Sequence, residues 1–114
     1  RIKNVTIVGG SRIAYYLSTL LEKQDISVKI IEKDVARCQD LTQRLPNAMI
    51  ISGDASDEDL LIEEENEKTD ALVCLTGMDE ENILLSINAL DHNTKKVVTK
   101  VNRTNFNYIF FNFF

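Results

Sequence analysis

NVTIVGGSRIA, residues 4–14, is the stretch that decides the fold, because it runs from a β-branched segment through two glycines into a helical pattern. Residues 9–14 follow the G-x-G-x-x-G/A turn of dinucleotide-binding domains, with Ala14 in the last position and Ser11 in place of the middle glycine. The first glycine of this turn allows the sharp bend, the second admits a pyrophosphate, and the third keeps helix and strand close. Serine is small, so we expect a modest steric cost.

The charge at the start of the first predicted helix also points to an external anion. Three other predicted helices begin with acids, at Asp34, Asp57 and Asp79. Carboxylates at a helix start complement the helix dipole from within the chain. The helix after Gly9 has no acid in its first turn and carries Arg12, which leaves its positive end open for a phosphate. A glycine turn used only for packing is the alternative.

Outward from this stretch, strand and helix patterns alternate along the chain. Nearly continuous apolar runs predict strands at 4–8, 27–31, 48–52 and 71–75, and a fifth strand is predicted at 96–101. Such runs are typical of a parallel sheet that is covered on both faces. Right-handed β-α-β connections then predict a Rossmann-like, doubly wound α/β fold with five to six strands in the order 3-2-1-4-5. The ligand crevice is expected beside the first strand, at the carboxyl edge of the sheet.

Apolar residues at helical spacing predict which side of each helix faces the sheet. The predicted sets are Ile13, Leu17, Leu20 and Leu21 in the first helix, Val35, Cys38, Leu41 and Leu45 in the second, Leu60 and Leu61 in a short acidic helix at 57–65, and Ile83, Leu84, Ile87 and Leu90 in the last.

Further candidate residues end the second, third and fourth strands. Glu32 lies eighteen residues after Ala14, where a carboxylate accepts both ribose hydroxyls and repels a 2′-phosphate, which favours NAD over NADP. Asp54 either reaches the adenine end or forms an ordinary Asx turn, and Thr76 is placed to line the far half of a dinucleotide. The complete candidate set is Gly9, Gly10, Ser11, Arg12, Ile13, Glu32, Lys33, Asp54, Ala55 and Thr76.

Composition narrows the function further. The chain has 114 residues, a net charge of −5 and no basic block, which argues against nucleic acid as a partner. Cys38 and Cys74 sit in apolar patterns and are predicted to be buried free thiols, as in a reducing cytosol. The single histidine, His92, lies in a polar stretch and is predicted to be solvated. The sequence has no Tyr-x-x-x-Lys pair, no nucleophile elbow and no metal-ligand cluster, so we expect a sensor and no enzyme.

The order of these motifs resembles the RCK (or KTN) domain of TrkA-type regulators of bacterial potassium uptake, over residues 3–105. The resemblance is carried by residues 8–14, 30–34 with 37–38, 53–57 with 60–61, 70–76, 79–82 and 100–103. It implies a cytoplasmic regulatory domain that binds NAD(H), and in some members ATP or ADP. It also implies a homo-oligomer, a dimer or larger ring, held at the inner face of the plasma membrane by a separate potassium-transporting subunit. By the same match Arg12 meets phosphates, Glu32 the ribose and Asp54 the adenine end.

Two other interpretations stay open. One is the cofactor half of an NAD-dependent dehydrogenase or, less favoured, a methyltransferase fragment. The other is a degenerate copy kept for assembly with an empty crevice, for which Ser11 is the best support. We divide the chain into a nucleotide-binding domain at 1–105 and an apolar tail at 106–114 that holds all five phenylalanines. The tail either completes the fold as a helix or strand, or forms an interface or a link to a further segment.

Overall fold

The computed structural model describes residues 1–57, 59–60, 69–104 and 107–113. These residues form six strands and three helices: β1 (Asn4–Val8), α1 (Arg12–Lys23), β2 (Ser27–Glu32), α2 (Val35–Arg44), β3 (Met49–Ser52), β4 (Ala71–Cys74), α3 (Asp79–Asp91), β5 (Lys96–Asn102) and β6 (Tyr108–Phe113). The helix predicted at 57–65 lies largely outside the described residues. The longest of the three helices has thirteen residues, and none in the described part is long and apolar enough to cross a bilayer.

All six strands belong to one sheet with the order β3-β2-β1-β4-β5-β6. The first five are parallel, and β6 runs antiparallel to β5. The predicted α/β fold and the order 3-2-1-4-5 are confirmed, with the tail adding a sixth strand. Because the chain steps outward in opposite directions from β1, the crevice of a doubly wound sheet opens between β1 and β4.

Two apolar clusters cover the two faces of the sheet, because successive strand residues point to opposite sides. One holds Val5, Ile7 and Ile30 against Leu41 and Leu45 of the α2 segment. The other holds Val8, Ile31, Ala55, Cys74 and Leu85, the last of which comes from α3. Cys38 and Cys74 are both buried free thiols, as predicted.

The inward face predicted for α3 is wrong. Ile83, Leu84 and Ile87 are exposed, Leu84 by 67%, and Leu90 is half-buried. The helix instead buries Asn82, Leu85, Ser86 and Ala89. Polar side chains lie inward at little cost when their hydrogen bonds are made inside the protein. Ser86 donates to the Asn82 carbonyl at 2.7 Å, and the Asn82 amide is fully bonded, as described below.

Two smaller expectations about helix faces also fail. Leu20 of α1 and Val35 of α2 are 59% and 60% exposed, although both belong to the predicted inward sets. Val35 is the first residue of α2. The rest of that set, Cys38, Leu41 and Leu45, is buried as predicted.

The tail forms strand β6, and every one of its six residues is exposed. Its strand partners run from Val97 with Phe113 to Asn102 with Tyr108. β6 therefore closes the sheet at that edge without burying its own aromatic side chains. Tyr108, Ile109, Phe110, Phe111 and Phe113 leave apolar surface on both sides of the strand.

Candidate functional site

A cavity of about 330 Å³ lies at the carboxyl edge of the sheet, where β1, β2, β3 and β4 end. Eight of the ten candidate residues line it: Gly9, Gly10, Ser11, Glu32, Lys33, Asp54, Ala55 and Thr76. The other two candidates, Arg12 and Ile13, are not among its lining residues. Nine further lining residues lie outside the candidate set, and they are Val8, Ile31, Asp34, Arg37, Gly53, Leu75, Gly77, Met78 and Glu81.

The first glycine of the turn is fixed by its backbone and by its neighbours. Gly9 has φ +98°, in the region that side chains disfavour. A Cβ at this position would lie 2.8 Å from both the Leu75 carbonyl carbon and the Thr76 nitrogen. The ends of β1 and β4 therefore approach each other closely only because Gly9 has no side chain.

Ser11, which replaces the middle glycine, caps α1. Its φ of −72° is ordinary for any residue, so the backbone does not require glycine there. Its hydroxyl oxygen accepts a hydrogen bond from the Ala14 nitrogen at 3.2 Å. The Tyr15 amide donates to the Ser11 carbonyl, which is the first backbone hydrogen bond of α1. The amides of Arg12 and Ile13 precede it and have no acceptor within the helix. The first turn of α1 contains no acid, so no carboxylate of that turn offsets the positive end of the helix dipole.

Glu32 joins the turn to the start of α2. One of its carboxylate oxygens accepts from the Gly10 nitrogen at 2.7 Å, and the other accepts from the Asp34 nitrogen at 2.7 Å. A carboxylate offers about four lone-pair positions, so each oxygen keeps one for a ligand hydroxyl. The carboxylate is therefore held in a fixed orientation before any ligand arrives.

Arg37 lies across the same turn. Its Nε donates to the Gly10 carbonyl, its Nη2 donates to the Ser11 carbonyl at 3.3 Å, and its Nη1 pairs with Asp40 at 2.7 Å. A cation in the first turn of a helix opposes the helix dipole, and that unusual placement is the sequence signal that could have identified it. Arg37 therefore fixes the glycine turn, residues 9–11, from the side of α2.

Asp54 forms the Asx turn that was one of its two predicted roles. Its Oδ1 accepts from the nitrogen and the hydroxyl of Ser56, at 2.9 and 2.8 Å. These hydrogen bonds lower the pKa of Asp54, so the carboxylate stays ionised at neutral pH. The side chain is exposed at the crevice rim, beside the buried Ala55 and the exposed Lys33.

The two cysteines and the single histidine do not line this crevice. Burial raises the pKa of the Cys74 thiol to about 11 and also raises that of Cys38. His92 is exposed at the end of α3, with its Nδ1 2.8 Å from the Asn88 carbonyl oxygen. No group of acids, histidines and cysteines in the described ranges is placed to hold a metal ion.

A glycine turn at a helix start, an acid at the end of β2 and a crevice at the β1–β4 switch point define a Rossmann-type nucleotide-binding fold. The TrkA-N domain family model matches residues 5–112. The chain therefore belongs to the TrkA-N family, as the motif order predicted.

Curated relatives carry the name of one transport system. A Trk system potassium uptake protein TrkA homolog from Archaeoglobus fulgidus is 36% identical over 108 residues, which are 95% of this chain and 25% of the relative. Trk system potassium uptake protein TrkA from Haemophilus influenzae is 39% identical over 101 residues, which are 89% of this chain and 22% of the relative. The chain thus spans about a quarter of the length of these relatives.

Similar solved structures come from enzymes of the same fold. A SAM-dependent methyltransferase from Thiobacillus denitrificans, in complex with S-adenosyl-L-homocysteine, has a TM-score of 0.62 and 16% identity, and the match covers 87% of this chain and 42% of that one. A TehB-like SAM-dependent methyltransferase from Corynebacterium glutamicum has a TM-score of 0.59 and 20% identity, covering 90% and 56%. At such identities these likenesses show the fold alone.

Proposed function

We propose that this chain is a regulatory nucleotide-binding domain that senses NAD(H) for a potassium uptake system, with ATP or ADP as further ligands. The observation that carries the proposal is Glu32, a carboxylate oriented by two backbone amides at the crevice, beside the acid-free start of α1. The names of the curated relatives supply the link to potassium uptake.

The crevice has a candidate binding group for each part of a dinucleotide. The pyrophosphate lies against the Gly10–Ser11 turn and the free amides of α1, where the helix dipole favours negative charge. The adenosine ribose donates its hydroxyls to Glu32, and the adenine lies toward Asp54 and Ala55. The second half of the dinucleotide extends toward Thr76. ADP shares only the first half of these contacts.

The domain acts by changing shape or assembly, without turning a substrate over. A ligand shifts an equilibrium only when it binds two arrangements of the protein with different affinity. We place this domain in the cytoplasm, at the inner face of the membrane, where a separate potassium-transporting subunit responds to the arrangement. Steady oxidation of NADH by the full-length protein with a small-molecule substrate would favour the dehydrogenase alternative.

Calorimetry with NADH, NADPH and ADP tests the ligand and the role of Glu32 together. We expect NADH to bind more tightly than NADPH by about 1–3 kcal/mol, because the 2′-phosphate meets a carboxylate. Glu32→Gln should weaken NADH and reduce this preference. Glu80→Gln, the same change on an exposed residue outside the crevice, should do neither.

Two results would contradict the ligand proposal. Equal affinity for NADH and NADPH in the parent protein would remove the ribose role of Glu32. No binding of any of the three nucleotides would favour the interpretation of a degenerate copy kept for assembly. In that case Ser11→Gly, which opens the second position of the turn, should also fail to restore binding.

Assembly of copies is the second part of the proposal, and α3 supports it. Ile83, Leu84 and Ile87 lie exposed on α3, next to an apolar groove of about 260 Å³ between α3, β5 and β6. A second copy packed on the same face buries these apolar side chains on both copies.

Light scattering on purified protein tests this assembly. We expect a dimer or larger species from the parent and a monomer from Leu84→Glu. Leu20→Glu places the same charge on an exposed leucine of α1 and should leave the assembly unchanged. A parent that stays monomeric, or two variants that behave alike, would refute α3 as the contact surface.

Coupling to the membrane subunit has a thermodynamic test. If NADH favours one arrangement of the complex, that arrangement must bind NADH more tightly by the same factor. NADH affinity should therefore differ between the full-length regulator alone and the regulator bound to its transport subunit. Identical affinities, together with transport that responds to NADH, would exclude equilibrium sensing.

A further inference from the structure

Asn82 is a buried amide on α3 that fastens the loop after β4, which forms the far wall of the crevice. We propose that Asn82 is a positioning residue that holds Thr76, Gly77 and Met78 at the correct distance from the phosphate turn. It thereby sets the affinity for the second half of a dinucleotide without touching the ligand. This inference rests on the proposed function, because it concerns the same crevice.

The first support is the number of bonds that Asn82 makes to one residue. Its Oδ1 accepts from the Thr76 nitrogen at 3.0 Å and from the Thr76 hydroxyl at 2.7 Å. Its Nδ2 donates to the Thr76 carbonyl at 3.0 Å. Both backbone groups of Thr76 are thus bonded by one side chain, which fixes the direction in which the loop leaves the sheet.

The second support is the contact between this loop and the phosphate turn. The backbone of Leu75 and Thr76 lies so close to Gly9 that a Cβ there would fall at 2.8 Å. A small shift of Thr76 therefore changes the spacing between the two walls of the crevice directly. The Thr76 hydroxyl oxygen also accepts from the Met78 nitrogen at 3.2 Å, so the loop from Thr76 to Met78 follows the position of Thr76.

The third support is the hydrogen bond that ties Asn82 to strand β5. The second Nδ2 hydrogen of Asn82 is donated to the Lys100 carbonyl in β5 at 2.9 Å. The start of α3 is tied to the same strand by Asp79, which accepts from the nitrogen and the Nδ2 of Asn102 at 2.9 and 3.0 Å. The loop is therefore fixed to the sheet through Asn82.

Only a side-chain amide fits this arrangement. Asn82 is fully buried and uses two lone pairs and two N–H groups, which is the full capacity of an amide. Aspartate has the same shape but loses both donors and brings a charge into a site that faces two carbonyl oxygens. Asn82→Asp is consequently the most selective change for this position.

The experiment measures NADH and ADP affinity by calorimetry for the parent chain, Asn82→Asp and Asn88→Asp. ADP lacks the half of the ligand that meets the far wall. We expect Asn82→Asp to lower NADH affinity about tenfold or more and to change ADP affinity less than about twofold. Asn88→Asp makes the same change on α3, outside the crevice lining, and should leave both affinities unchanged.

Unfolding curves measured in parallel separate a positioning role from a structural one. A merely structural role lowers both affinities by the same factor, through the folded fraction, and that result would overturn the inference while leaving the proposed function intact. If the parent binds NADH no better than ADP, no far-wall contact exists and the inference also falls. If the parent binds neither ligand, the proposed function fails, and the inference fails with it.

A second pair of variants decides the case if Asn82→Asp does not fold. Thr76→Ser keeps the hydroxyl that donates to Asn82, and Thr76→Val removes it. We expect Thr76→Ser to retain the ratio of NADH to ADP affinity and Thr76→Val to reduce it. Equal ratios in the two variants would overturn the inference.

Discussion

The two halves of the sheet use their helices differently. In the first half, formed by β1, β2, β3, α1 and α2, apolar helix residues such as Leu41 and Leu45 are fully buried against the strands. In the second half, formed by β4, β5, β6 and α3, the helix turns Asn82 and Ser86 inward and leaves Ile83, Leu84 and Ile87 in solvent.

This difference shows where hydrophobic periodicity stops being a reliable guide to burial. Periodicity locates the buried side of a helix when the sheet is the only thing that the helix contacts. α3 has a second task, because its first turn holds the loop after β4, and that task requires a polar residue inside. Its apolar residues Ile83, Leu84 and Ile87 are consequently left exposed.

The largest effect is expected at Gly9, where the two halves meet. Gly9→Ala forces a left-handed backbone on a side chain and places a Cβ against the backbone of Leu75 and Thr76. We expect a loss of about 3–5 kcal/mol in the free energy of unfolding, together with loss of nucleotide binding. Urea unfolding and calorimetry measure the two effects.

Gly77 provides the matched control on the opposite wall. A Cβ at Gly77 would meet no atom within 4 Å, and its φ is not positive. Gly77→Ala should therefore leave the free energy of unfolding within about 0.5 kcal/mol of the parent. If both glycine variants are equally unstable, the close approach at Gly9 does not hold the halves together.

Most of the fold could be predicted from the sequence, because the decisive signals are local. The glycine turn, the continuous apolar runs of β1 and β2, and the acid cap at Asp34 fix the elements and their order. Eight of the ten candidate residues line the crevice, because the carboxyl ends of parallel strands meet at one edge.

The parts that could not be predicted depend on contacts between distant residues. The burial of Asn82 depends on carbonyl and hydroxyl partners at Thr76 and Lys100. The capping role of Ser11 depends on backbone angles that a comparison with the glycine pattern does not show. Arg37 reaches the Gly10 and Ser11 carbonyls from another helix, so its cation in the first turn of α2 marks it as unusual, but only the packing of α2 shows its partners.

A pair of identical leucine substitutions tests the contrast between the halves. Leu41→Ala in α2 removes a fully buried side chain and should lower the free energy of unfolding by about 2–5 kcal/mol. Leu84→Ala in α3 removes a side chain that is 67% exposed and should change it by less than about 0.5 kcal/mol. Urea unfolding at low protein concentration measures both values for the single copy.

The concentration dependence of the same experiment sharpens the contrast. If copies associate through α3, Leu84→Ala becomes destabilising as protein concentration rises, because association adds to the apparent stability of the folded state. Leu41→Ala should cost the same at every concentration. A Leu84→Ala variant that costs several kcal/mol in dilute protein would show that α3 is packed in the single copy after all.

The smallest effect is expected from two threonines that lie one in each half. Thr6 of β1 is hydrogen-bonded to the Thr69 hydroxyl at 2.9 Å, whereas the buried Thr99 hydroxyl of β5 has no partner among the described residues. Thr99→Val should raise the free energy of unfolding by about 1 kcal/mol, because it removes an unpaired polar atom and keeps the shape. Thr6→Val should lower it by about 1 kcal/mol, because the Thr6–Thr69 hydrogen bond is lost, although Thr69 keeps its hydrogen bond to the Ala71 carbonyl. Thr99 also lines the apolar groove beside α3, so a second copy seated there would cover its hydroxyl. Thermal unfolding of dilute protein should therefore show the two changes with opposite signs, and a destabilising Thr99→Val under those conditions would mean that the hydroxyl is already satisfied in the single copy.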